Sequence, residues 1–359
     1  MPESNAVYYR RAYRYAVGVS RGRIPAGRWV RLACKRFLAD RRASRAPESQ
    51  WLVSPQAFGA ACRFIETMPL TKGEGAAARR RLILQPWQCF IVVNLFGFVD
   101  RETKRRRFRE AYIKIPRKNG KSELAAAIAL YLLAADGEFG AEVFCGGWGE
   151  EQSRKVFDAC VSMVRREKRL SDRLGLRIWG SGKAAETITI LDRNAKMRPL
   201  KARPEDGDNP HGYICDEYHE HKTDEQVETM RSGMGARSQP LIFIITTAGA
   251  SIGGPCYRYE DDAKRRLRLG TLSERVFVGC WEPDERDDWR KDETLIKANP
   301  NVNVSVNLDF LRHERDEAVA RVARRNTFKA KHLNLWVGAA EGYFDVERWR
   351  RLSPIPGMR

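Results

Sequence analysis

Apolar positions along the chain follow two rhythms. Over residues 8–45 basic and aromatic residues alternate with small apolar ones, and Trp29, Leu32, Ala33, Arg36 and Phe37 recur at helical spacing. This predicts an N-terminal helical arm. Ser54 as N-cap and Pro55 in the first turn then open a helix over 54–67, with Phe58, Ala61, Cys62 and Ile65 on one face and Pro69 and Gly73 ending it.

From residue 90 the rhythm shortens. An apolar helix over 90–98 is followed by apolar blocks at 111–115, 124–135, 143–146, 187–191, 213–215 and 241–247, with a helical stretch at 152–164 among them. Strands alternating with helices predict an α/β fold whose sheet is mostly parallel and flanked by helices. Beyond residue 254 the pattern is helical and highly charged, with one strand near 276–280, which predicts a small C-terminal lid or linker subdomain. The expected division is an arm at 1–75, a core at 76–254 and the subdomain at 255–359, ending in the linker-like Pro354, Pro356 and Gly357. No internal repeat or low-complexity tract is present.

Composition narrows the classes. The longest apolar stretches, 124–135 and 241–247, fall short of the ~20 residues needed to cross a bilayer, and the N-terminus lacks a secretory signal pattern, so a cytosolic protein without membrane association is expected. Eight scattered cysteines without a Cys-x-x-Cys pair read as buried reduced thiols rather than a zinc site. The charge of +19, from 65 Lys and Arg against 46 Asp and Glu, favours a polyanionic partner, nucleic acid first. Residues 101–109 hold six basic side chains in nine and read either as a solvated turn or as a DNA or phosphate contact.

The sharpest chemistry is Pro116-Arg117-Lys118-Asn119-Gly120-Lys121-Ser122, set between the 111–115 strand and an apolar helix, the context of a P-loop. Backbone N–H groups there can surround a phosphate, Lys121 can neutralise β and γ oxygens, and Ser122 can ligate Mg2+. Ile115 stands where the first glycine of the P-loop pattern belongs. Downstream, Gly212-Tyr213-Ile214-Cys215-Asp216-Glu217 is a strand ending in two carboxylates, with Asp216 suited to hold Mg2+ through water and Glu217 to polarise the attacking water. Thr246 and Thr247 end the 241–247 strand where hydroxyls can sense a γ-phosphate. Upstream lie Gln85 and Gln88, and the amide of Gln88 can read an adenine edge. Arg117 is the arginine-finger candidate within one subunit, and Arg203 a candidate acting in trans.

These elements, in this order, resemble the large terminase subunit of tailed double-stranded DNA phages, in the lineage with an Arg-Lys-Asn-Gly-Lys-Ser loop and an Asp-Glu-Tyr-His motif. Residues 297–301 (Lys-Ala-Asn-Pro-Asn), 328–336 and 27–40 look like further signatures of that family. The resemblance implies a RecA-like P-loop ATPase that uses ATP and Mg2+ to drive double-stranded DNA into a procapsid. The nucleotide-binding set would be Gln85, Gln88 and Arg117 to Ser122, with Asp216 and Glu217 as the acidic pair and Thr246 and Thr247 as the coupling motif. It also implies a ring of subunits docked on a portal protein, a small terminase subunit as partner, and the cytoplasm of an infected or lysogenic bacterium as location. The family's C-terminal nuclease domain is expected to be missing, so no nuclease activity is expected from this chain alone.

Two other readings stay open on sequence. Asp216-Glu217-Tyr218-His219 fits a DExH helicase or translocase, although the arginine motif of a second RecA-like domain is not found. A truncated remnant that binds DNA through its basic surface is the non-enzymatic alternative.

Overall fold

The computed structural model describes residues 5–180, 185–200 and 207–338. The chain opens with α1 (Asn5–Ser20) and α2 (Arg28–Ala43), then β1 (Trp51–Val53), α3 (Pro55–Thr67), the short α4 (Gly73–Ala77), α5 (Pro86–Gly97) and β2 (Phe98–Asp100). The central part runs β3 (Glu110–Lys114), α6 (Lys121–Ala134), β4 (Glu142–Gly146), α7 (Glu150–Arg166), α8 (Lys168–Leu174), β5 (Leu176–Trp179), β6 (Thr187–Ile190), β7 (Ala195–Pro199), β8 (Gly212–Asp216), α9 (Glu225–Gly233) and β9 (Leu241–Thr246). It closes with α10 (Pro255–Leu269), β10 (Val276–Cys280), α11 (Asp292–Ala298), α12 (Leu308–Ala320) and α13 (Val322–His332).

Eight strands form one sheet in the order β10-β3-β9-β8-β4-β7-β6-β5. The pairs from β10 through β7 are parallel, and β7, β6 and β5 continue as antiparallel neighbours. Register aligns Lys114 with Thr246 and Asp216 with Ile245, so the carboxyl ends of β3, β9 and β8 lie side by side. In parallel sheets that edge is where loops collect a ligand, because every strand hands its chain to a helix there.

The strands β10, β3, β9, β8 and β4 are buried on both faces, which is why most of them read as apolar runs, while β7, β6 and β5 alternate buried with more exposed positions. Leu241, Phe243 and Ile245 of β9 join the core built with α1, α3, α5, α6 and α7, while Ile242 and Ile244 join the core under α9 and α10. α6 has no polar face after its first turn: Leu124 to Ala134 are all buried, because the helix is covered by the sheet on one side and by α3 and α7 on the other. Ser54 caps α3 by accepting from Ala57 N at 3.2 Å, with Pro55 in the first turn.

Three sequence expectations change. The N-terminal arm is two helices whose Tyr8, Ala12, Val30 and Phe37 enter the main apolar core. β10, expected in the C-terminal subdomain, is the edge strand beside β3; α11, α12 and α13 surround a small core of their own made by Trp289, Leu295, Leu311 and Phe328. The basic 101–109 segment is mostly neither solvated nor free for DNA. Arg106 is buried on Asp136 at 2.9 Å, Arg107 on Asp40 at 3.0 Å, and Arg109 donates to Ser238 O at 2.8 Å. Only Lys104 and Arg105 of the six cations are exposed. All eight cysteines are buried free thiols, and no helix among the described residues is long and apolar enough to cross a membrane.

Candidate nucleotide site

The loop from Ile115 to Gly120 leaves β3 and turns into α6. Ile115 stays in the sheet, donating its N–H to Thr246 O at 3.0 Å, so the site of the missing glycine is an extension of the strand. The turn itself uses two left-handed residues, Lys118 at φ 69 and Gly120 at φ 78; the second suits glycine, while the first is strained for a side chain and must be held from outside.

It is held by amides. Asn119 is fully buried, and its Nδ2 donates to Pro116 O and Arg117 O at 3.2 Å and to Asn299 Oδ1 at 2.9 Å. Asn301 N donates back to Asn119 Oδ1 at 3.1 Å, Asn301 Nδ2 to Asn119 O at 3.3 Å, and Ser305 Oγ to Lys118 O at 2.6 Å. Trp87 Nε1 donates to Asn301 Oδ1 at 2.7 Å, and Arg117 N donates to Lys331 O at 3.0 Å. A Cβ on Gly120 would sit 3.7 Å from both Gln88 Nε2 and Asn301 Nδ2.

Across the loop, Asp216 and Glu217 end β8. Glu217 has φ 52, a strained conformation that its N–H to Ile245 O at 3.0 Å helps to fix. Lys121 Nζ lies 3.7 Å from Glu217 Oε1 and donates to Ile115 O at 3.3 Å. Glu217 Oε2 accepts from Thr247 Oγ1 at 3.3 Å and lies 3.2 Å from His219 Nδ1. His219 N donates to Thr246 Oγ1 at 3.1 Å, and the ring Nδ1 is also 3.1 Å from that oxygen.

The two adjacent carboxylates are driven apart electrostatically. Burial, and then the charge of Glu217, push Asp216 up to about 6. Burial alone would also raise Glu217, but the His219 hydrogen bond and the Lys121 and Arg117 charges bring it down to about 2. Burial pulls Lys121 below its ordinary value despite Glu217. The arrangement therefore offers an ionised carboxylate at a strand end, a cation opposite it, and a second carboxylate that gains from a positive neighbour.

A sequence model of the terminase large subunit ATPase domain matches residues 86–265, half of the chain, from the start of α5 into α10. The chain belongs to this terminase family. A model of the terminase large subunit endonuclease domain matches residues 273–358. That match corrects the expectation of a missing nuclease domain. A helical, charged tail read as a lid, whereas the matched segment begins just before β10, inside the core sheet. Among the described residues no group of three or more His, Cys, Asp or Glu is gathered to hold a metal.

Protein YmfN of Escherichia coli K12 is 44% identical over 171 residues, which cover 48% of this chain and 38% of YmfN. The large terminase subunit of Enterobacteria phage HK97 is 24% identical over 254 residues, 68% of this chain and 48% of the phage protein. The crystal structure of the HK97 large terminase shares the fold, with TM-score 0.66 at 22% identity over 78% of this chain and 55% of that one. The chain spans less than half the length of these two curated relatives.

The expected Arg117, Lys118, Asn119, Gly120, Lys121, Ser122, Asp216, Glu217, Thr246 and Thr247 lie on the loop, the start of α6 and the ends of β8 and β9. Gln88 is buried at the start of α5, where its Oε1 accepts from Gln85 N at 2.9 Å, leaving Nε2 toward Gly120; half-buried Gln85 donates to Ile83 O at 3.2 Å. Arg203 lies outside the described residues. Sequence reasoning gave no role to His219, Asn299, Asn301 or Asn334. Asn334 accepts from Ala248 N and donates to Trp281 O, both at 2.8 Å, and so fastens the turn after β9 to the end of β10. The signal for three of these was present in the 297–301 and 328–336 signatures, but which loop they reach is a tertiary fact.

Proposed function

We propose that this chain is the ATP-hydrolysing part of a phage DNA-packaging motor that moves double-stranded DNA into a procapsid. The observation that carries the reading is the convergence of Lys121, Asp216, Glu217 and Thr247 at the carboxyl ends of adjacent parallel strands, with Lys121 Nζ 3.7 Å from Glu217 Oε1 and Thr247 Oγ1 3.3 Å from Glu217 Oε2. Family membership favours it over the DExH helicase reading of the same acidic motif.

The donor set suits Mg2+, which takes one or two protein oxygens and keeps its waters. Ser122 begins α6 beside Lys121, and Asp216 is a buried carboxylate pushed up to about 6, a state that a nearby cation relieves. Ser122 and Asp216 would hold the ion, which supplies neutralisation of the β and γ oxygens. The chain's own groups do the rest. Backbone N–H groups of 118–122 cradle the phosphates, and Lys121 pairs with the β and γ oxygens. Glu217, ionised at neutral pH, accepts a hydrogen bond from the water that attacks the γ-phosphorus as the bond to the β–γ bridging oxygen breaks, giving ADP and phosphate. His219 and Thr247 orient that carboxylate, and Thr246 and Thr247 carry the change into the turn after β9. Gln88 and Gln85 lie toward the adenine side, and Arg117 is the finger within the subunit, with Arg203 a candidate from a neighbour.

Kinship supports a ring of subunits on a portal protein, a small terminase subunit as partner, and the cytoplasm of the bacterial host as the location. A basic surface that grips phosphates rather than bases loses DNA affinity steeply as salt rises. Steady-state ATP hydrolysis at rising protein concentration, with and without duplex DNA, tests the reading. Turnover that requires both Lys121 and Glu217 and climbs with concentration is expected. A residual rate indifferent to Glu217→Gln and Lys121→Ala, with DNA binding intact, would replace the motor by the inactive remnant.

A further inference from the structure

Next to His219 and Thr247, both in contact with Glu217, a half-open cavity of about 490 Å³ lies between the turn after β9, the segment 219–222 and α13. Arg117, Lys222 and Lys331 line it, together with Thr247, Ser251 and Thr327. Arg117 and Lys222 are exposed at its rim and Lys331 is half-buried. Among the described residues none of the three is in a direct salt bridge: Arg117 acts on Glu217 only through its charge, and Lys222 rests over the Trp148 ring at 5.7 Å. The one carboxylate on the wall, Glu220, is engaged by His219 Nε2 at 3.0 Å. Burial holds the neighbouring His221 at about 4, so it is a neutral donor or acceptor near pH 7.

Three cations and the hydroxyls of Thr247, Ser251 and Thr327 around one space suit a tetrahedral dianion. We propose that this cavity receives the inorganic phosphate released from the nucleotide and holds it against the turn after β9 before it leaves. The inference rests on the hydrolysis reading above. It makes phosphate departure, rather than bond cleavage, the event that frees the 247–251 turn, which Asn334 ties to β10 through Ala248 N and Trp281 O.

The test uses the whole chain and inorganic phosphate as the probe, titrated by calorimetry against the parent, Lys121→Ala, and the double variant Lys222→Gln with Lys331→Gln, with matched melting temperatures required of all three. Phosphate binding that survives Lys121→Ala and weakens about tenfold or more in the double variant is expected, since each lost charged hydrogen bond costs about that factor. Binding that ignores the double variant, or that Lys121→Ala alone abolishes, overturns the proposal. A phosphate group has a second source in the DNA backbone, so a short duplex is run as competitor. Displacement of phosphate by duplex in the parent but not in the double variant assigns the cavity to DNA and overturns it. Single-turnover kinetics then compare γ-phosphate cleavage with phosphate release, and the double variant is expected to shorten the lag between them. Hydrolysis that does not need Glu217, with phosphate binding unchanged, sinks the parent reading alone. Hydrolysis that needs Glu217, with phosphate binding indifferent to Lys222 and Lys331, sinks this one alone.

Discussion

Two buried polar networks brace the strand–loop–helix unit at Lys114–Lys121, and they are built from different chemistry. On the loop, the contacts are uncharged amides: Asn119, Asn299 and Asn301 exchange hydrogen bonds with each other and with the carbonyls of 116, 117 and 119. Under the strand, the contacts are ions. Lys114, fully buried, meets Glu260 at 2.7 Å and Glu282 at 2.5 Å; Lys264 meets the same pair at 2.5 and 2.6 Å, and Tyr112 and Trp336 donate to Glu260 Oε2. An amide network fixes backbone geometry without a charge that competes with a triphosphate. An ion network is costly to desolvate and worse to break, so it suits the place where β3, α10 and β10 must stay in register. The loop is thus positioned by groups indifferent to pH, and the strand is anchored by groups that titrate.

The largest expected effect sharpens this contrast by touching neither network. Glu217→Gln should lower kcat by about 10²–10⁴-fold while costing less stability than the loss of Glu260; a melting shift as large as that of Glu260→Ala would mean that the acidic pair is part of the fold's anchoring. Next comes the ion network. Glu260→Ala leaves Lys114 and Lys264 without one of their two partners, and denaturant unfolding should report a loss of about 3–5 kcal/mol. A loss under about 1 kcal/mol would show that Glu282 alone suffices and would break the comparison.

The amide network should respond more mildly and differently. Asn119→Asp keeps the shape but replaces a donor of three hydrogen bonds with an acceptor, so about 1–3 kcal/mol of stability is at risk and the KM for ATP should rise more than kcat falls. Equal losses in both constants would indicate that the loop geometry acts on chemistry rather than on nucleotide binding.

The smallest effect is the pH dependence. Glu260 is buried, which alone would raise it, but the two lysines hold it down at about 2. A depressed carboxylate contributes stability that is present above its unfolded value of about 4.5 and is lost as pH falls through about 2. Parent and Glu260→Gln should therefore converge in stability as pH drops from about 5 to about 2, whereas the difference between the parent and Asn119→Ala should stay flat over that range. A sloping Asn119 difference would place a titrating group in the amide network.

Much of the site was legible because it depends on local chain logic. A strand, a turn with Gly120 and a helix beginning at Lys121 announce a phosphate loop even with Ile115 in the glycine position, and a buried strand ending in Asp216 and Glu217 announces its acidic counterpart. What misled was the treatment of charge. Arg106 and Arg107 read as surface cations because their sequence neighbours are basic, yet Asp136 and Asp40, about 30 and 70 residues distant in sequence, neutralise them in the interior. The helical, charged run after residue 254 read as a separate subdomain because one short strand gives no hint of which sheet it joins, and β10 pairs with β3 from more than 160 residues away.

The sequence alone determined the α/β class, the loop, the acidic pair and the order in which they occur, because each is encoded by periodicity or by neighbours within a few residues. Only the tertiary structure decided that β9 lies between β3 and β8, that His219 and Thr247 reach Glu217, and that Asn299, Asn301 and Asn334 hold loops far from them in the chain. Those contacts join segments whose approach is set by burying two apolar cores on opposite faces of one sheet. No local pattern in the chain records which distant amide will find which carbonyl once that burial is complete.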